Sequence, residues 1–200
     1  MTDGLHRLIL AELRLAWAGA HRMLLVVGPD RRVLRQFNGL ATGSRGPIAI
    51  GWLPRHRLVA YDSDARPGYW LLPAGARWQL APDGPLRRPD GRAWMVLDDP
   101  ADGRPGCRAA TLKAGPADAL APVLAAITAA RDALNERSLR YPFLGLGANS
   151  NSVATTLLRA AGLPDPVIPA GAVLVPGWGR VLLPAARLRE IQRDAGLAVT

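Results

Sequence analysis

The chain is expected to fold as α+β: an antiparallel sheet of hairpins packed against helices. Three observations predict that class. Short runs rich in Val, Leu, Trp and Tyr, parted by Gly, Pro and Asp, fill residues 20–100. From about residue 117 the pattern changes to helical periodicity. Connections between the early runs are short, which favours hairpins. The chain has 200 residues, 49% apolar and 20% charged. The simplest organisation is one domain over 1–200, with the sheet in 20–100 and a helical part in 117–200.

Residues 4–17 place Leu5, Leu8, Ile9, Leu13 and Leu15 near helical spacing, and predict a short helix. Next, HRMLLVV and VLRQFNG flank Gly-Pro-Asp, the signature of a β-hairpin. IAIGWLP, RHRLVAYD, YWLLPAGARWQLAP and AWMVLDDP supply further strand candidates. ADALAPVLAAITAARDALNERS predicts a long helix, with Leu120, Leu124, Ile127, Ala130 and Leu134 on one face. Pro122 is expected in its first turn or just ahead of a later start, where proline is tolerated. A loop, LRYPFLGLGAN, leads into a helix over 150–161, and a Pro/Gly-rich tail ends in a helix from about 184 to 195.

The net charge of +9 comes from scattered arginines and a single lysine, Lys113, with no basic block longer than a pair. Specific nucleic-acid binding is therefore not expected, and docking on an acidic partner or nucleic acid ranks as the weakest reading. Asp3, Glu12 and Arg14 interrupt the N-terminal apolar pattern, and no run reaches membrane-spanning length. A soluble, cytoplasmic product is the expectation, with signal-independent secretion left open. Cys107 is the only cysteine and reads as a bystander thiol. Three separated histidines, and an Asp98-Asp99 pair that reads as a turn, predict no metal centre. No nucleotide-binding loop or Gly-x-Ser-x-Gly elbow is present, and no cofactor is expected.

The chemistry-bearing stretch is GANSNSV, residues 147–153, where two Asn-Ser pairs crowd a helix start. On a wheel of about 100° per residue, Ala154, Leu157, Leu158 and Ala161 centre on the direction of Ser150. Ser152 goes with Thr155, Thr156 and Arg159, toward solvent. Asn149 suits a cap or loop anchor. A hydroxyl at a helix N-terminus can cap, or act as a nucleophile if an imidazole takes its proton. His6 falls on the first expected helix and His56 among arginines at a solvated strand edge. His21 opens the apolar strand MLLVV and is the candidate base.

AHRMLLVVGPDRRVLRQFNG and NSNSVATTLL together resemble the circularly permuted papain-like group, the NlpC/P60 superfamily in its lecithin:retinol acyltransferase-like order. In that group an early strand carries the catalytic His and a late helix carries Cys after Asn. The resemblance implies a permuted papain-like fold and a Ser-His(-Asn) hydrolase or acyl-transfer site for amide or ester bonds. Ser150 stands where the family has Cys, Asn149 matches the motif Asn, and His21 matches the catalytic His. Asn38 or Gln36, on one face of the second hairpin strand, would orient the imidazole. Helix-start N–H groups would stabilise the oxyanion. The resemblance suggests peptide- or peptidoglycan-like amides as substrates; Asn149 and Trp178 are the substrate-binding candidates, Trp178 in PGWGRVLLP either lining a groove or, the more usual role of such a residue, packing a chain reversal across the core. The alternative is an inactive papain-like binding module, because a hydroxyl ionises far less readily than a thiol.

Overall fold

The computed structural model describes residues 4–15, 19–44, 46–48, 56–64, 79–80, 86–87, 108–142, 147–166 and 175–199. Its elements in chain order are β1 (His6–Leu15), β2 (Gly19–Val27), β3 (Val33–Gly43), β4 (Gly46–Ile48) and β5 (Arg57–Asp62). Then follow β6 (Gln79–Leu80), β7 (Leu86–Arg87), β8 (Arg108–Gly115), α1 (Ala117–Glu136), α2 (Ser150–Ala160) and α3 (Ala185–Asp194). The α+β class holds: an antiparallel sheet runs β4-β3-β2-β1-β8, with β5 also paired to β3, and helices pack on it. The strand candidates over 49–54, 69–78 and 93–100, and Cys107, lie outside the described residues.

The first element corrects the sequence reading. Residues 6–15 form a strand, not a helix, pairing with β2 from Arg7↔Val27 to Leu15↔Gly19. Leu8 and Leu10 join the core shared with the helices, while Ile9 and Ala11 alternate to the other face; all four are fully buried. A strand covered on both faces needs apolar residues at consecutive positions, which erases the period-2 signal. β8, which no apolar run announces, pairs with the other edge of β1.

The expected hairpin is present. Leu24↔Phe37 through Val27↔Val33 pair β2 with β3. Between them the Arg31 N–H donates to Gly28 O (2.9 Å) and the Gly28 N–H to Arg32 O (2.8 Å). Pro29 supplies the fixed φ that such a turn needs.

The edges of β3 decide where a helix can enter. Phe37 pairs with both Leu24 of β2 and Asp62 of β5, and Ala41 with both Ile48 of β4 and Leu58 of β5. So β2 and β4 share one edge of β3, and β5 takes the other. On the shared edge, residues 38–40 have no strand partner among the described residues.

α1 lays Leu120, Val123, Ile127, Ala130 and Leu134 into the core, with Leu124 half-buried. Pro122 lies inside the helix, past its first turn. α2 and α3 complete the layer, and Phe37, Leu58, Val153, Leu157 and Ile191 share its core. β5 is held to α1 by Asn135, whose Oδ1 accepts from Ala60 N (2.8 Å) and whose Nδ2 donates to Ala60 O (2.9 Å). One side chain thus substitutes for a strand partner.

Candidate functional site

α2 enters the sheet at the gap beside residues 38–40 of β3. Gly39 makes this possible: a Cβ there would lie 2.9 Å from Ser150 Cα and 2.8 Å from Val153 Cβ. The neighbouring Asn151 closes the gap from the β2 side. Its Oδ1 accepts from Arg22 N (2.8 Å) and its Nδ2 donates to Ala20 O (2.9 Å), so it grips the backbone on both sides of His21. Unpaired backbone groups at a splayed edge are costly when buried, and this amide satisfies two of them. The sequence reading did not single out Asn151; only the partner's position in space reveals its role.

Asn149 is the N-cap of α2. Its Oδ1 accepts from Asn151 N (2.9 Å) and Ser152 N (3.1 Å), in a capping box with Ser152. Its Nδ2 donates to Pro176 O (2.8 Å), which ties the tail to the helix start. Ser152 is a correction: it does not face solvent but is fully buried. Its Oγ shares one proton between Gly147 O (3.1 Å) and Gly177 O (3.0 Å). Thr155 and Thr156 are buried as well, accepting from Gly179 N (3.0 Å) and Leu182 N (2.9 Å). The segment around 176–182 covers the face that a helical wheel assigns to water. Gly177 has φ +78°, and a Cβ there would lie 2.5 Å from Asn149 Oδ1.

His21 and Asn38 meet directly, with Nε2 of the ring 2.5 Å from Asn38 Oδ1. An amide oxygen only accepts, so Nε2 carries the proton and Nδ1 the lone pair. Nδ1 takes no hydrogen bond among the described residues. Burial, partly opposed by the bond to Asn38, lowers the imidazole pKa from 6.5 to about 4. It is therefore neutral at physiological pH. Gln36, the other candidate for orienting the ring, is buried two residues away, and neither amide atom has a partner among the described residues. Asn38 Nδ2 is buried and has no partner among the described residues either.

Ser150 is buried against Gly39. Burial raises the pKa of the Tyr141 phenol, and Ser150 draws it partly back down. No Ser150–His21 hydrogen bond occurs among the described contacts. The backbone donors expected at the helix start are engaged: those of Asn151 and Ser152 with Asn149 Oδ1, and that of Val153 with Asn149 O (3.0 Å).

Trp178 lies over Arg22, 4.0 Å from guanidinium carbon to ring centroid. Arg22 in turn makes a buried pair with Glu12, at 2.9 Å from Nε and 2.8 Å from the second nitrogen. This stack braces β2 directly beside His21 and was not foreseen, although Glu12 and Arg22 are cross-strand partners. His6 is on β1, not a helix, and His56 is half-buried, its ring packed near Gly43. Neither belongs to the site.

Among the described residues, no group of three His, Cys, Asp or Glu could hold a metal ion, and no helix is long and apolar enough to cross a membrane. Compared with models of protein families, with curated proteins and with solved structures, the chain finds no match in any of the three.

Proposed function

We propose that the protein is a hydrolase or acyl-transfer enzyme acting on an amide or ester bond, with Ser150 as nucleophile, His21 as base and Asn38 as the group that holds the imidazole. One observation carries this reading: a buried His21–Asn38 pair with Nδ1 free, on the strand that Asn151, next to Ser150, grips from both sides. Because His21 and Asn38 lie on the sheet face away from the helix core, substrate binding brings the Ser150 hydroxyl to the imidazole through the splayed edge beside Gly39. Oγ then attacks the carbonyl carbon while Nδ1 takes its proton. The imidazolium returns that proton to the leaving group as the bond to it breaks, and water or an acceptor alcohol or amine removes the acyl group. Asn38 keeps the ring in the tautomer that leaves Nδ1 basic. A ring of pKa about 4 is a weak base, so turnover is slow unless substrate raises it. Peptide-like amides are the proposed substrates, entering beside Trp178.

The second reading, a binding module without catalysis, draws support from the lack of a Ser150–His21 hydrogen bond among the described residues and from an imidazole that resists protonation. A serine-directed fluorophosphonate probe separates the two. Intact-mass analysis is expected to find one adduct on the wild-type chain, mapped by peptide digestion to Ser150, and none on Ser150→Ala or His21→Ala. An adduct that persists in Ser150→Ala removes Ser150 as nucleophile. An unlabelled wild-type chain favours the binding module.

A further inference from the structure

At the outer edge of β5 two arginines stand in a register that ordinary sheet pairing avoids. Thr42 of β3 is the cross-strand partner of Arg57, the first residue of β5, and Arg57 is in turn the partner of Arg140. Tyr141 N donates to His56 O (2.9 Å) and Leu58 N to Leu139 O (2.8 Å). Arg57 and Arg140 therefore form the pair lying between the two hydrogen bonds, where opposed side chains come closest and leave the same face. Like charges so placed repel. Both arginines are exposed, and neither has a hydrogen-bond or ion-pair partner among the described residues. Beside them lies a cavity of about 380 Å³, lined by Thr42, Arg57, Tyr61, Arg131, Asn135 and Ser138 among others. Arg131 is spent on Asp62 (2.7 Å) and Asp132 (2.6 Å), which leaves Arg57 as the uncompensated charge on the wall. An extended peptide finds no edge to join here. Asn135 already bonds Ala60 N and O, and Leu139 O takes Leu58 N.

We propose that this edge is a binding site for a small organic phosphate, with the phosphoryl group held by Arg57 and Arg140 and the organic part in the cavity. The site is independent of Ser150 and His21. Two neighbouring guanidinium forks offer paired N–H donors that match a tetrahedral oxyanion, and both rise from hydrogen-bonded backbone. The charge selects the ligand. A phosphate monoester carries about two negative charges at neutral pH and balances both arginines. A carboxylate carries one and leaves the repulsion half relieved. Thr42 adds a hydroxyl to the same row, its Oγ1 2.8 Å from the Tyr61 phenol oxygen. The cavity volume falls within the range of about 300–1,000 Å³ usual for small-ligand sites, and its Ser138 and Asn135 walls suit a polar body such as a sugar.

The test is isothermal titration calorimetry of the full chain with ribose phosphate at constant ionic strength, with ribose and chloride as controls and vesicles containing phosphatidic acid titrated in parallel. Saturable one-to-one binding of ribose phosphate is expected, with a Kd of about 1 mM or tighter. Arg57→Gln and Arg140→Gln are each expected to weaken it at least about tenfold. Arg140→Lys, which keeps the charge and loses the fork, is expected to fall between wild type and Arg140→Gln. Without ligand, both Gln variants are expected to melt at or slightly above the wild-type temperature, because the repulsion is gone. A lowered melting temperature in either would show that the pair serves the fold and would overturn the site. So would failure to saturate by about 10 mM, undiminished binding in the Arg57→Gln/Arg140→Gln double variant, or binding confined to the vesicles.

Discussion

Two polar clusters share strand β3 and face opposite ways. On the helix face, Arg35 pairs with Asp62 at 3.0 and 2.5 Å, and reaches Thr128 of α1 at 3.2 Å. Arg131 of α1 adds a third contact to the same carboxylate at 2.7 Å. Burial would push the Asp62 pKa up, but the Arg35 hydrogen bond, the Asp64 N–H and the charges of Arg35 and Arg131 outweigh it and hold the group below 3.8. On the other face, Gln36 and Asn38 are equally buried, yet three of their four amide atoms have no partner among the described residues. His21 beside them is discharged by burial rather than charged by a neighbour. The first cluster is saturated and fastens α1 to the sheet. The second leaves buried amide atoms without partners among the described residues, which costs stability.

Substitutions should therefore act with opposite signs on the two faces. Asp62→Asn strips one carboxylate from two arginines and is expected to cost about 3 kcal/mol in urea unfolding, the scale for breaking a buried pair. A cost below about 1 kcal/mol would show the helix-face network to be a surface ornament.

The acid response separates the clusters by pH. His21 has a folded pKa of about 4 against an ordinary 6.5. Between those values the unfolded chain binds a proton that the folded chain refuses, so stability falls as pH drops through that window, by up to about 3 kcal/mol. His21→Gln is expected to abolish that loss. Asp62 has its folded pKa lowered from 3.8, so its contribution is present above that value and is lost only below it. A wild-type stability flat between pH 6.5 and 4 would contradict the neutral, buried His21.

Gly39→Ala drives a methyl into Ser150 Cα and Val153. It is expected to cost about 2 kcal/mol and to shift α2 out of the gap, reducing fluorophosphonate labelling more than stability alone explains. The smallest effect separates the faces most cleanly. Gln36→Met removes two unpartnered buried atoms and is expected to be neutral or stabilising by about 1 kcal/mol, read from the urea midpoint. Destabilisation beyond that would mean Gln36 has partners of its own.

Where local chemistry decides the outcome, the elements were legible. Gly-Pro-Asp announced the β2–β3 hairpin, the spacing of Leu120, Ile127 and Leu134 announced α1, and the Asn149 cap announced α2. Two failures share a cause, burial on more than one side. β1 is apolar at consecutive positions because both its faces are covered, so it read as a helix. α2 is buried all round except at Arg159, because residues 176–182 cover its Ser152–Thr155–Thr156 side. A wheel places polar side chains toward water when nothing says that the tail returns. Of the candidate site residues, the structure joins His21 to Asn38 rather than to Gln36, and it shows no Ser150–His21 hydrogen bond among the described residues. Asn151 went unnoticed because its partner is distant in the chain: it reaches strand β2, 129 residues away.

The most direct test replaces Ser150 by cysteine in a Cys107→Ser background and follows iodoacetamide alkylation of the new thiol against pH. If His21 Nδ1 serves residue 150, imidazole and thiol form an ion pair and the thiol titrates well below its ordinary value of about 8.5. Adding His21→Ala is then expected to return it to that value or above. A thiol that titrates at about 8.5 or higher, indifferent to His21, would contradict the pairing of Ser150 with His21.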